Sequence, residues 1–296
     1  MRQTITNIKY KPRGLFSGKI DPATTTFPFC KSRTVPSCTP FFFCFLSQSS
    51  CLRYILDGNS VFLTATEAAW RRASAPQYAG GGLIVSIGHE VENGFLFMKR
   101  RNLDLTPPTP EPKENHGGAD AFLKFLETQV KPFVRSTILP ESTIGREALF
   151  GHSYGGLFTL YTMFNSPSLF DCYFAGSPSS WYENSVLLDY ERRFRERKGG
   201  ARPVLVMFYG GLEQNPYQRR GESDEAFQKR MDTARGWAME DSSRAMVQRL
   251  QDSKTVAYVT CKEYPGEDHG TVIACGLSRA VAVFYEDWPI NEEIVF

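Results

Sequence analysis

"ALFGHSYGGLFTLYTMF", Ala148–Phe164, is the stretch on which the reading of the fold turns. The apolar pair Leu149-Phe150 ends a strand. Gly151-x-Ser153-x-Gly155 follows, and then an apolar run with helical spacing. A serine set between small residues where a strand becomes a helix is the nucleophile-elbow pattern. The turn is tight and strained, so the residues two positions either side of the serine must be small. The helix behind it points its amino end at the reacting centre, where N–H groups can stabilise negative charge. Short Gly/Ser strings are common in turns, so the strand–turn–helix context carries the weight.

The text around this motif alternates strands with helices. "LRYILDGN" reads as a strand closed by the turn Asp57-Gly58-Asn59, and "FLTATEAAWRRA" as a helix. "GGLIVSIG" is too continuously apolar for a half-exposed strand and suits the middle of a parallel sheet. "RRNLDLTPPTPEPKENHGG" reads as a long polar loop. "ADAFLKFLETQVKPFV" places Phe122, Phe125, Leu126 and Val130 on one helical face. Strands are then expected at "FDCYFAGSPS", "PVLVMFYGG" and "TVAYVTCKEY", with helices at "YENSVLLDYERRFRERKGG", over 222–253 with a break near Gly236, and at "TVIACGLSRAVAVFYEDW". This predicts an α/β fold: a mainly parallel sheet with helices on both faces. Residues 52–296 form the catalytic domain in this reading. Residues 1–51, rich in Pro, Thr, Ser and Cys and without a sustained period, are expected to be an atypical, poorly ordered segment.

Composition narrows the function. With 34 basic and 32 acidic residues the net charge is +2, so no broad basic field recruits nucleic acid or anionic lipid. Arg192-Arg193 and Arg219-Arg220 read as solvated surface. The seven cysteines form no C-x-x-C zinc pattern and suit buried free thiols in a reducing compartment. The opening residues lack an apolar signal-peptide core, and "PFFFCFL" is far short of the roughly 20 residues of a membrane span. The expectation is a cytoplasmic protein without a membrane or nucleic-acid partner.

In an open parallel sheet, function gathers at the carboxyl ends of the strands. Four such loops carry suggestive residues: "GHSYGG", "GSPSSW", "GGLEQNP" and "YPGEDHG". Ser153 is the candidate nucleophile. Its base is expected in the loop after the last strand, which holds His269. His152 reads as structural support or a wall of the site, and His116 as solvated. The acid should follow a strand between those of the serine and the histidine, and Glu213 is the first carboxylate there. Asp224 and Asp241 are more distant, and Asp268 adjoins His269 too closely to orient its far ring nitrogen. The oxyanion donors are assigned to the backbone N–H groups of Tyr154 and His89, the latter after the "LIVSIG" strand.

On "YILDGNSVF", "IVSIGHE", "RNLDLTP", "GGADAFLKFLETQVKPFV", "LFGHSYGGLF", "SPSSW", "GGLEQ" and "PGEDHG", the chain resembles the siderophore esterases (enterobactin- and fusarinine-esterase-like) of the esterase D-like α/β-hydrolases. The resemblance runs from about Leu52 to the C-terminus. It implies hydrolysis of siderophore esters by Ser153 and His269, with no cofactor and no metal, and a small-molecule ester, with or without ferric iron, as substrate. Some members of the family use a Ser–His dyad, so Glu213 stands between triad and dyad. The resemblance also implies that the Arg101, Asp104, Thr106 segment lies near the substrate cleft. Arg101, Asp104 and Trp181 are the substrate-binding candidates. The residues before Leu52 depart from the family, where antiparallel strands lead into "LDGN", so the amino-side edge strands are expected to be missing or aberrant. A general carboxylesterase, an S-formylglutathione-type thioesterase, and an inactive hydrolase fold that only binds are the competing readings.

Overall fold

The computed structural model describes residues 26–27, 41–45 and 51–286, except 75–76, 79–81, 90, 93–94, 97, 112 and 140–143. The remainder of the 1–51 segment lies outside the described residues. The strands are β1 (Thr26–Phe27), β2 (Phe41–Phe45), β3 (Cys51–Leu56), β4 (Leu83–Ile87), β7 (Arg146–His152), β8 (Cys172–Gly176), β9 (Val204–Gly210) and β10 (Tyr258–Tyr264), with β5 (Val91–Glu92) and β6 (Phe95–Leu96) as a separate ribbon. The main sheet has the order β1-β2-β4-β3-β7-β8-β9-β10. Pairing is parallel from β4 across to β10 and antiparallel where β2 joins β4 and β1 joins β2.

That edge corrects one expectation. The sheet has its amino-side antiparallel edge: β2, from within "PFFFCFL", pairs with β4 from Phe41↔Ile87 to Phe45↔Leu83. A five-residue strand needs only a partner of matching length. The Pro- and Ser-rich flanks hide it from a search for period.

The helices are α1 (Gly58–Ala73), α2 (Met98–Leu105), α3 (Ala119–Phe125), α4 (Lys131–Phe133), α5 (Tyr154–Asn165), α6 (Tyr182–Ser185), α7 (Leu187–Glu196), α8 (Asp224–Trp237), α9 (Met239–Ser253) and α10 (Val272–Glu286). The sheet residues alternate between two cores. Ile55, Phe150, Phe174 and Phe208 join α1 and α10 on one face. Tyr54, Leu56, Leu149, Tyr173 and Met207 join α3, α5, α7 and α9 on the other. Period-2 side chains buried on both sides explain why the strands read as continuous apolar runs.

Several boundaries differ from the sequence reading for local reasons. The polar loop after residue 97 begins as a helix, since α2 carries Arg100, Arg101 and Asp104. In the helix that starts at α3, wider π turns occupy Leu126–Val130 and Val134–Ile138, either side of Pro132. Proline lacks the N–H that a regular α-helix would use there. The helix read from Tyr182 is interrupted, because Glu183, Asn184 and Ser185 have φ of 44°, 54° and 61°. The break between α8 and α9 falls at Ala238, with φ 47°, two residues beyond Gly236.

Helix α10, whose first turn carries the histidine loop, docks on β9 through Gly276. A methyl group there would lie 2.1–2.4 Å from three carbons of the Phe208 ring, which is buried. Gly276→Ala should therefore destabilise the fold by roughly 1–3 kcal/mol of overpacking, partly offset by about 1 kcal/mol of helix propensity. Urea titration of wild type and variant reads the difference, and an unchanged midpoint would refute the close docking.

Candidate active site

Ser153 stands at the junction of β7 and α5 with φ 59° and ψ −120°. A non-glycine residue in that region costs on the order of 1–3 kcal/mol and persists only where its surroundings hold it. Here Ser153 N donates to Gly176 O at 3.0 Å, while Ser153 O accepts from Leu157 N at 2.9 Å and from Ser179 N at 3.3 Å. The flanking glycine is obligatory: a Cβ at Gly151 would lie 2.1 Å from the carbonyl oxygen of Gly155. Tyr154 N–H opens α5, where amides have no intrahelical acceptor.

The acid and histidine loops are laced together at the carboxyl edge. Gly211 N donates to Tyr264 O at 2.9 Å and Leu212 N to Glu267 O at 3.0 Å. The approach is close enough that a Cβ at Gly210 would lie 2.3 Å from Glu267 O. Glu213, 8% exposed, accepts from His269 Nδ1 on Oε2 at 2.6 Å. Its other oxygen accepts from Ser177 Oγ at 2.6 Å and from Gly210 N at 2.7 Å. With Nδ1–H donating to the carboxylate, Nε2 of His269 is left as the proton acceptor. Gln214 turns the other way. Its Oε1 accepts from the amides of Glu240 and Asp241 at the start of α9. Asp268 accepts from the amides of Thr271 and Gly270, which hold its carboxyl below the usual range.

The structure thus brings Ser153, His269 and Glu213 to one edge. Ser153 Oγ has Ser179 Oγ as its neighbour at 3.5 Å. Among the described residues no hydrogen bond joins it to the half-exposed His269 ring. Catalytic hydrogen bonds often shorten only when substrate is bound. His152 packs on His269 with ring centroids 4.5 Å apart. Burial, then the neighbouring His269 ring and the Arg101 charge, hold its pKa well below 6.5.

Three residues expected at the site have partners within the protein. His89 N–H already donates to Asn59 Oδ1 at 2.6 Å, and β4, which precedes His89, is separated from the serine strand by β3. The turn beside the elbow is therefore Asp57-Gly58-Asn59. Arg101 is 8% exposed, and Asp57 Oδ1 and Oδ2 take its Nε and Nη2 at 2.6 and 2.9 Å. Asp104, 2% exposed, accepts from Arg100 Nε at 2.7 Å and lies 3.4 Å from His89 Nε2. Both charges are buried and paired: Arg101 with Asp57, and Asp104 with Arg100.

Trp181 stands on an aromatic wall. It lies 6.3 Å from the Tyr154 ring and stacks on Trp237 at 5.3 Å and 12°. His116, expected to be solvated, stacks on Tyr182 at 6.0 Å and meets Tyr154 edge-on at 6.3 Å. Trp237 and His116 carry no sequence signal of this role, because they come from segments distant in the chain. Among the described residues no group of three or more His, Cys, Asp or Glu could hold a metal ion. Nor is any helix among them long and apolar enough to cross a membrane.

A strained serine turn and a carboxylate-bound histidine on one edge of a parallel sheet define the α/β-hydrolase class. The family model described as "Putative esterase" matches residues 49–268, and the chain belongs to that family. It is 42% identical over 242 residues to a siderophore triacetylfusarinine C esterase of Aspergillus fumigatus, covering 81% of this chain and 82% of that protein. It is also 42% identical to a siderophore enterobactin esterase of Emericella nidulans over 77% of this chain and 80% of that one. The solved siderophore hydrolase EstB from Aspergillus nidulans superposes with a TM-score of 0.82 at 40% identity, over 91% of this chain and 97% of its own.

The depressed pKa of His152 sets an acid limit on stability. An unfolded histidine takes up a proton below pH ~6.5 that the buried ring refuses. The contribution is complete above that pH and is lost as pH falls toward the depressed folded value, by up to about 1.4 kcal/mol per pH unit. Denaturant midpoints from pH 7 to 5 should fall in wild type and fall less steeply in His152→Gln.

Proposed function

We propose that this chain is a serine hydrolase of siderophore esters, acting in the cytoplasm. The observation that carries the reading is the 2.6 Å bond from His269 Nδ1 to Glu213, on the same sheet edge as the strained Ser153. Ser153 Oγ attacks the ester carbonyl as His269 Nε2 accepts its proton. Glu213 holds the ring in the required tautomer and steadies the imidazolium. The tetrahedral oxyanion is held by the N–H of Tyr154 and that of Asn59 in the first turn of α1. Asn59 replaces His89 because its turn follows the strand next to that of the nucleophile. His269 returns the proton to the leaving alcohol, and water then releases the acyl group by the same steps in reverse order.

The substrate class rests on the two fungal relatives, whose names specify siderophore esters, and on the aromatic wall. Trp181 with Trp237, itself 43% exposed, offers a flat apolar face to a bulky ester near Ser153. Iron enters only as cargo of the substrate. The cytoplasmic assignment rests on the free thiols of Cys172, Cys261 and Cys275.

Ser153→Ala should abolish hydrolysis of a purified triester siderophore and labelling by a fluorophosphonate, with an unchanged thermal midpoint. Residual turnover near wild type would reject the nucleophile, and a wild type that does not label would favour a binding-only fold. Glu213→Gln should lower kcat roughly a thousandfold or more with little change in KM, since the wrong tautomer harms the transition state. Nearly full turnover would leave a Ser–His dyad. Trp237→Ala should raise KM about three- to tenfold, the scale of one lost aromatic contact, with kcat little changed.

A further inference from the structure

Asp57 and Arg101 meet behind the two turns that carry the oxyanion donors. Asp57 precedes α1 with φ 55° and ψ 41°, and its side chain does not cap that helix. Both of its oxygens face Arg101 instead. Arg101 Nη2 also lies 3.4 Å from the carbonyl oxygen of His152, and the guanidinium carbon is 5.8 Å from the centre of the Tyr154 ring. His152 and Tyr154 flank Ser153. From the opposite side, a Cβ on Gly155 would stand 3.2 Å from Asp57 Oδ2. One buried ion pair therefore touches the chain before the nucleophile, the chain after it, and the start of the turn that leads to Asn59.

The two donor amides belong to segments nearly a hundred residues apart. Their separation must be held to a fraction of an ångström if both are to meet one oxygen. The planar fork of Arg101 grips Asp57 with two parallel bonds through Nε and Nη2, and Nη2 also donates to His152 O. An ammonium group cannot reproduce that geometry.

We propose that the Arg101–Asp57 pair is the positioning clamp of the oxyanion hole: it sets the spacing between the Asn59 and Tyr154 amides and does not touch substrate. The proposal rests on the serine-hydrolase reading above. It explains why a basic residue of the segment expected beside the cleft is turned inward.

The test uses Arg101→Lys, Arg101→Gln and Asp57→Asn in the full chain, with Ser153→Ala as control. Each is assayed for thermal midpoint, for kcat and KM on a triester siderophore, and for affinity toward two inhibitors. One is a trifluoromethyl ketone, which a serine nucleophile converts to a tetrahedral oxyanion. The other is the matching methyl ketone, which resists that addition. For folded variants the expected result is a fall in kcat of about a hundredfold, the scale of one lost oxyanion donor, with KM within about threefold. Trifluoromethyl ketone affinity should fall in step with kcat/KM, and methyl ketone affinity should hold. Arg101→Lys should keep most of the thermal midpoint but not recover kcat. If Arg101→Gln does not fold, Arg101→Lys and Asp57→Asn decide. The clamp is overturned by a folded Arg101→Lys or Asp57→Asn with kcat within threefold of wild type, or by equal loss of both ketones. An active Ser153→Ala would overturn the serine reading and the clamp with it, whereas an inactive one beside a fully active Arg101→Lys would remove the clamp alone.

Discussion

The backbone at Ser153 is the constraint around which the rest is arranged. A serine at φ 59° is held in a conformation its side chain disfavours, and the elbow's glycines give it room but no hydrogen bond in return. The compensation comes from neighbours. Gly176 O takes the serine amide, Ser179 N meets the serine carbonyl, and Gly151 leaves room for the carbonyl of Gly155. Those neighbours lie at the ends of β7 and β8 and the start of α5, so the strain can be held only once the central strands are in register. Formation of the reactive turn and formation of the sheet are one event.

The same logic governs the other half of the site. Glu213 is buried and negatively charged, and would be costly there without donors. It has three, from His269, Ser177 and Gly210, which together occupy both oxygens. Ser177 itself has φ 39° and donates its amide to Phe208 O at 2.7 Å. The residue that steadies the acid is thus tied to the acid's own strand, and β8 and β9 position Glu213 jointly. The histidine loop is fixed both by its own side chains, with Asp268 bonded to Gly270 and Thr271, and by the backbone bonds that tie it to the loop of the acid.

Much of this was legible in the sequence, and the failures have physical causes. Ser153 and His269 stand in loops defined by strand order along the chain, which a sequence displays. The same order singles out Glu213 as the first carboxylate after β9. The internal partner of the His89 N–H was hidden because the spatial order of strands departs from chain order: β3 lies between β4 and β7. A charged residue in a polar stretch carries no sign of a buried partner 44 residues away, as Asp57 is from Arg101, whereas Asp104 pairs with Arg100 four residues before it. The ring contacts of His116 and Trp237 join segments distant in the chain, which no local pattern announces. The strand β2 was hidden by the composition of its flanks.

Helix α8 stands apart from these dependencies. Ala234 is its one buried residue, and Ala238 in a left-handed conformation separates it from α9. Yet its last residue completes the aromatic wall. On the reading proposed above, the segment that bears on which ester is recognised is one on which the sheet, the serine turn and the acid loop make little demand. Substitutions along its outer faces are tolerated by the fold. Divergence of substrate preference among descendants of such a chain can accumulate there while the catalytic edge stays unaltered, and recombining this helix between relatives is a route to new acyl selectivity that leaves the hydrolytic apparatus intact.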